Sequence, residues 1–162
     1  MLALLAALLL AGAAAYLIAA PTPAHTVLGK RQSDMLLDRN FNMTQISLES
    51  GGTAVQYYAY LASTTAQQQE GYMNVTTVGD CGNRGECIGM LFVFNRTSNL
   101  CFWMENTALP LRQSWINYSG RVVYSTDAVP YSTNVICHNG MYVLETYANT
   151  TVNGTVGIIG AR

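Results

Sequence analysis

Charge is what this sequence lacks most. Asp, Glu, Lys and Arg together make up 10% of 162 residues, against roughly 25% in an ordinary soluble domain. Lys30 is the only lysine, and the net charge is −1. A chain without a basic face cannot neutralise phosphates, which argues against nucleic acid as a partner. Histidine is almost missing too. His25 and His138 are the only two, so neither an oriented imidazole base nor a histidine-rich zinc site has much to build on. His138, beside Cys137, reads as a residue that hydrogen-bonds a turn. The carboxylates Glu70, Glu86, Glu105 and Glu145 lie far apart along the chain, giving no sign of a paired acid and base. Asp80 with Glu86 is too sparse for calcium, which needs several oxygens in a short span. No catalytic residue, metal or cofactor is expected, and the chain reads as a non-enzyme.

Polarity comes instead from Asn, Thr, Ser and Tyr. Asn-x-Ser/Thr sequons begin at Asn42, Asn74, Asn95, Asn117, Asn149 and Asn153, drawn from 12 asparagines and 25 serines and threonines. Chance would give about two, so six is an excess, and the sequon is the glycan acceptor of exported proteins. Four cysteines are present, Cys81, Cys87, Cys101 and Cys137. An even count in an exported chain reads as disulfides. Three pairings are open. The turn-like run Gly82-Asn83-Arg84-Gly85-Glu86 between the first two favours Cys81–Cys87 with Cys101–Cys137. The rival, a metal site using His138, has ligand gaps too wide for the usual zinc spacing.

Residues 1–20 contain no charge and are rich in Leu and Ala, which favours a helix long enough to cross a hydrocarbon core. A secretory signal normally opens with basic residues, and none precede this run. A retained anchor with Lys30, Arg31 and Arg39 just after it would leave the following domain in the cytoplasm, against the sequons and cysteines. Removal of a short basic leader before Met1 reconciles both. The start Met1-Leu2-Ala3-Leu4-Leu5 resembles in this general way the mature start of a type IV pilin, though it lacks the glutamate of bacterial pilins. That resemblance implies an extracellular filament subunit. Leu2, Leu4, Leu5, Leu8, Leu9, Leu10, Tyr16, Leu17 and Ile18 would then be the assembly surface. Identical subunits in a helical homo-polymer would be the partners, and the membrane would be the station before assembly. The alternative is a membrane-anchored surface or binding protein, outside the cytoplasm, that does not polymerise.

The remainder reads as mainly β, a small barrel or sandwich with one short helix, preceded by the hydrophobic N-terminal helix. The domain plan is 1–20 hydrophobic helix, 21–44 linker and 45–162 β-rich domain, with a loop or short helix over 26–41. Strands are expected at 53–61, 89–94, 100–104, 113–118, 121–126, 141–146 and 155–159. Ser119-Gly120 is read as a two-residue hairpin turn, and Asn139-Gly140 as a short turn that leads into the strand at 141–146. Ser63 or Thr64, with Gln67 or Gln68, can form a capping box for a helix running to Tyr72. Phe92, Phe94, Trp103, Trp115, Val123 and Leu144 are expected to share one core. Trp103, Trp115 and the tyrosines read as core more than as a carbohydrate-binding face.

Several stretches are more specific. Gln68-Gln69-Glu70-Gly71-Tyr72-Met73, Gly89-Met90-Leu91-Phe92-Val93-Phe94, Phe102-Trp103-Met104-Glu105-Asn106-Thr107 with Leu109-Pro110-Leu111, Gly120-Arg121-Val122-Val123 and Tyr142-Val143-Leu144-Glu145 resemble, in order and spacing over about 60–160, the DUF192 (UPF0127) family. The resemblance implies a small β-rich domain, often exported or membrane-attached, and no established biochemical activity. In one place the chain departs from the family pattern. Glu105 stands where that pattern usually has Lys, and Arg112 where it usually has Asp. If the two sites face each other, the double reversal keeps an ion pair.

Overall fold

The computed structural model describes residues 34–148, 150, 152 and 154–159. Residues 1–20, with every assembly position named above, lie outside the described residues. Among the described residues no helix is long and apolar enough to cross a membrane.

The chain enters through a single helical turn, α1 (Met35–Asp38), set by Asp34, whose Oδ1 accepts from the backbone N–H of Leu36 and Leu37 at 3.1 and 3.3 Å. This is the N-cap interaction that satisfies otherwise orphaned donors. Leu36 and Phe41 are both buried, so the part of the expected linker from Asp34 onward belongs to the domain. β1 (Asn42–Ser50) and β2 (Thr53–Ala62) form a hairpin. α2 (Thr65–Glu70) follows with the expected box: Thr64 Oγ1 accepts from Gln67 N, and Gln67 Oε1 accepts from Thr64 N. The helix stops at Gly71, short of Tyr72. A 3₁₀ turn (Cys81–Asn83) leads into β3 (Cys87–Phe102), then β4 (Leu111–Ile116), β5 (Val122–Ala128), β6 (Ile136–Tyr147) and β7 (Thr155–Ile159).

The seven strands form one sheet in the order β5-β4-β6-β3-β2-β1-β7. Every neighbouring pair is antiparallel except β2–β3. The sheet curls until its two edges touch. Arg121 bridges Thr155, Val156 N donates to Gly120 O at 2.7 Å, and Val122 N donates to Gly154 O at 3.2 Å. The result is a curled half-barrel pinned at one seam.

Both sheet faces are buried, and the period-2 alternation of a strand sorts the core into two clusters. Tyr60, Ala62, Met90, Phe92, Trp115 and Val143 pack with α1 and the segment after α2. Their strand neighbours Ala59, Leu91, Ile116 and Leu144 pack with Ile46 and Val156 on the other face. One shared core is therefore a mistaken expectation. Phe92, Trp115 and Leu144 are buried, but Leu144 belongs to the second cluster. Phe94 is half-buried. Trp103 and Val123 are 45% and 50% exposed, because Trp103 follows the end of β3 and Val123 faces outward on an edge strand.

Three turn readings change as well. The two strands expected over 89–94 and 100–104 are one strand, β3, carrying an irregularity between Val93 and Ser98. The polar residues Asn95, Arg96 and Thr97 are exposed on it and resemble a loop only in composition. Asn139 and Gly140 lie inside β6, paired with Asn99 and Ser98. Gly140 serves close packing there, since a Cβ would come within 3.1 Å of Ile116 O. The β4–β5 connection is a wider turn closed by Gly120 N donating to Asn117 O and Asn117 N donating to Arg121 O, both at 3.0 Å. Its central residues are Tyr118 and Ser119.

Candidate functional site: an acidic, aromatic cleft

A cleft of about 470 Å³ opens between α2, the middle of β3 and the loop after β3. Its aromatic wall follows from β3's alternation. Phe92, Phe94 and Phe102 project on one face, with Phe102 edge-on to Phe92 and Phe94 at centroid separations of 4.9 and 6.5 Å. Phe102 is also edge-on to buried Trp115 at 5.9 Å, and Trp115 is held by its Nε1–H donating to Leu100 O at 2.9 Å. Trp103 completes the wall at the exposed side. Opposite, α2 contributes Thr65, Gln68, Gln69 and Glu70. Gln68 Nε2 donates to Val93 O at 2.7 Å and ties this helix to β3.

The loop 103–107 is fixed from several sides. Thr107 N donates to Met104 O, Asn74 N to Asn106 O, and Thr107 Oγ1 to Glu105 O. This loop brings Glu105 and Thr107 to the cleft. Arg39 supports the far side, donating to Met73 O at 2.7 Å and pairing with Glu70 at 3.3 Å.

Glu145 lies among the lining residues. It is 4% exposed, sits on β6 next to Leu144, and accepts from Gln113 Nε2 at 2.9 Å. Burial raises its pKa to about 7, only partly offset by the Gln113 hydrogen bond. Nearby, Tyr72 OH and Tyr147 OH share a hydrogen bond of 3.3 Å, and Tyr147 OH accepts from Gly79 N. Burial pushes both hydroxyls above the usual tyrosine range.

The scattered carboxylates of the sequence thus meet after all. Glu70, Glu105 and Glu145 line one cleft, while Glu86 is exposed elsewhere. The one available signal was a carboxylate inside the apolar run 141–146, on the strand face of buried Val143. Glu105 and Arg112 do not pair. Arg112 bonds Asp127 at 2.9 Å across the β4–β5 ladder, and only Glu105 reaches the cleft. His138 is on a strand, stacked on Tyr124 at 3.6 Å, and not in a turn.

Both expected disulfides are present, Cys81–Cys87 and Cys101–Cys137. The first ties the 3₁₀ turn to the start of β3. Tyr60 OH backs it, accepting from Cys81 N at 3.0 Å and donating to Asp34 Oδ2. The second joins directly paired residues of β3 and β6 and puts Cys101 at the cleft edge. Among the described residues, no three His, Cys, Asp or Glu gather to hold a metal. Of the sequon asparagines, Asn42, Asn74 and Asn95 are exposed and Asn117 is half-buried. Asn149 and Asn153 lie outside the described residues.

No curated protein matches the chain. A crystal structure from Sinorhizobium meliloti, assigned provisionally as a transcription regulator, superposes with a TM-score of 0.63 at 23% identity, covering 73% of this chain and 95% of that one. A protein of unknown function from Novosphingobium aromaticivorans gives a TM-score of 0.60 at 26% identity, covering 70% and 84%. The first shows the shared fold alone. The family model DUF192, "Uncharacterized ACR", matches residues 46–157, and the chain belongs to that family.

Proposed function

We propose that this chain is an extracytoplasmic binding domain that captures a small molecule in the cleft between α2 and β3. The observation that carries this reading is convergence. Residues from 65–73, 92–107 and 145, distant in sequence, line one concavity with aromatic walls and a few polar groups, the usual make-up of a ligand site. The Thr107 hydroxyl donates to Glu105 O, and no histidine lines the cavity. Binding is what the arrangement supports.

A thermal-shift screen of small molecules tests it. Ligands should raise Tm for the native chain and not for Trp103→Ala, a substitution at an exposed residue that leaves the core intact. A screen with no Trp103-dependent shift removes the reading.

The location outside the cytoplasm rests on two disulfides and the excess of sequons. Glycopeptide mapping of protein from its natural source should find glycans on Asn42, Asn74 or Asn95; unmodified asparagine at all three refutes glycosylation there. A second reading, the pilin-like filament subunit, draws on the charge-free composition of residues 1–20, since an apolar stretch of that length needs neighbours or lipid to cover it. The two readings are compatible: a filament would display the cleft. Electron microscopy of native material decides polymerisation, and discrete particles under every preparation leave the anchored binding protein.

A further inference from the structure

The cleft's charge is all of one sign. Glu70, Glu105 and Glu145 line it, and no lysine, arginine or histidine does. Glu70 is answered by Arg39. Glu105 has no ion-pair partner among the described residues. Glu145 is 4% exposed, and only its Oε1 is engaged, by Gln113. Among the described residues nothing donates to Oε2. Oε2 is not among the fully buried unpaired atoms, so it is open to a donor that enters the cavity, and a positively charged donor makes the stronger hydrogen bond to a carboxylate. Aromatic π faces attract the same sign of charge.

Position 105 points the same way. Glu105, half-buried on the loop after β3, brings a second carboxylate to the cavity. Arg112 stays out of the cavity, against Asp127. A metal ion is a poorer occupant, because no three ligating side chains gather among the described residues and the walls are aromatic.

We infer that the cleft binds an organic cation, an ammonium group on an apolar or aromatic body, with the head donating to Glu145 and Glu105 and the body against Phe94, Phe102 and Trp103. This rests on the reading of the cleft as a binding site.

Isothermal titration of the full chain in non-ionic detergent tests both, with benzylammonium, benzyl alcohol and benzoate as probes at neutral pH. Benzylammonium should bind at least about tenfold more tightly than benzyl alcohol, through its charge-assisted hydrogen bonds and cation–π contacts, and benzoate should not bind. Glu145→Gln and Glu105→Lys should each abolish that preference, with circular dichroism confirming the fold. Affinity for benzylammonium should also rise between pH 5.5 and 8 as Glu145 loses its proton. Glu105 and Glu70 across the cleft, and the Tyr72 and Tyr147 hydroxyls, are the other titratable groups around it, and the tyrosines stay neutral in this range. Equal binding of the ammonium and the alcohol, lost in Trp103→Ala, overturns the cation inference and keeps the binding site. Absence of binding by all three probes, together with an empty thermal-shift screen, overturns both.

Discussion

Gln113 and Glu145 are direct partners on adjacent strands, and the Gln113 side-chain amide donates to the Glu145 carboxylate at 2.9 Å. Cross-strand partners project on the same face of a sheet, so β4–β6 pairing alone delivers this hydrogen bond to a buried site. One neutral donor does not replace the water a carboxylate loses. The pKa of Glu145 therefore rises from 4.5 to about 7 on folding.

A stability prediction follows from the sign of that shift. Between the two values the folded state holds a proton that the unfolded state has released, so stability falls as pH rises from 4.5 to 7 and the loss is complete above it. The shift corresponds to about 3 kcal/mol. Urea unfolding at pH 5 and pH 8 should show a decline of this order for the native chain and a much smaller one for Glu145→Gln. An identical decline in the variant would assign the effect to other groups.

The aromatic residues separate what their strands bury from what they display. Phe92→Ala and Trp115→Ala should each cost about 3–5 kcal/mol, as for other buried aromatics. Phe94→Ala, half-buried, should cost less than Phe92→Ala. Trp103→Ala should cost within about 1 kcal/mol, as for an exposed side chain. Denaturant midpoints for the four variants check the ranking, and a Trp103 loss equal to that of Trp115 would contradict the facing described.

The sequence carried the local signals well and the long-range ones poorly. The capping box at Thr64 and Gln67, the strand at 155–159 and the disulfide pairing each depend on a few neighbouring residues or an even count of cysteines. The continuity of β3 through Asn95-Arg96-Thr97 was hidden because exposed strand residues and loop residues share a polar composition. Asn139-Gly140 matched a turn in type, but its pairing with Asn99 and Ser98 lets the ladder outweigh local preference. The cleft was hidden for a further reason: its aromatic wall on β3 and Glu145 on β6 become neighbours only through the β3–β6 pairing, and its other wall comes from α2 and the loop after β3.

The two disulfides should differ in accessibility. Cys101 and Cys137 are exposed, whereas Cys81 is buried and Cys87 half-buried. Under limiting reductant without denaturant, alkylation followed by peptide mapping should label Cys101 and Cys137 first. Their bridge spans 36 residues and the other spans 6. In the chain-entropy account the longer loop stabilises more, so the Cys101→Ser, Cys137→Ser double variant should lose about 2–4 kcal/mol. Earlier labelling of Cys81 and Cys87 would contradict the burial pattern.

Gly89 tests how the sheet itself places Glu145. It stands opposite Thr146 in the β3–β6 ladder with φ of +152°, and a Cβ there would lie 1.8 Å from Glu145 O and 2.9 Å from Thr146 Cα. Those neighbours are backbone, so Gly89→Ala must push β3 away from β6 at the residue that carries the cleft's buried carboxylate. The comparison is Gly51→Ala in the β1–β2 turn, where φ is +59° and a Cβ meets nothing within 4 Å. That change carries only the left-handed backbone penalty of about 1–2 kcal/mol. Gly89→Ala adds overpacking of about 1–3 kcal/mol or more and should be the more destabilising of the two. It should also move the carboxylate: the folded variant should lose the pH-dependent stability of Glu145, while Gly51→Ala keeps it. Equal stability losses and unchanged pH profiles in both variants would show that β3 yields at Gly89 without disturbing β6, and that the backbone contact does not position Glu145.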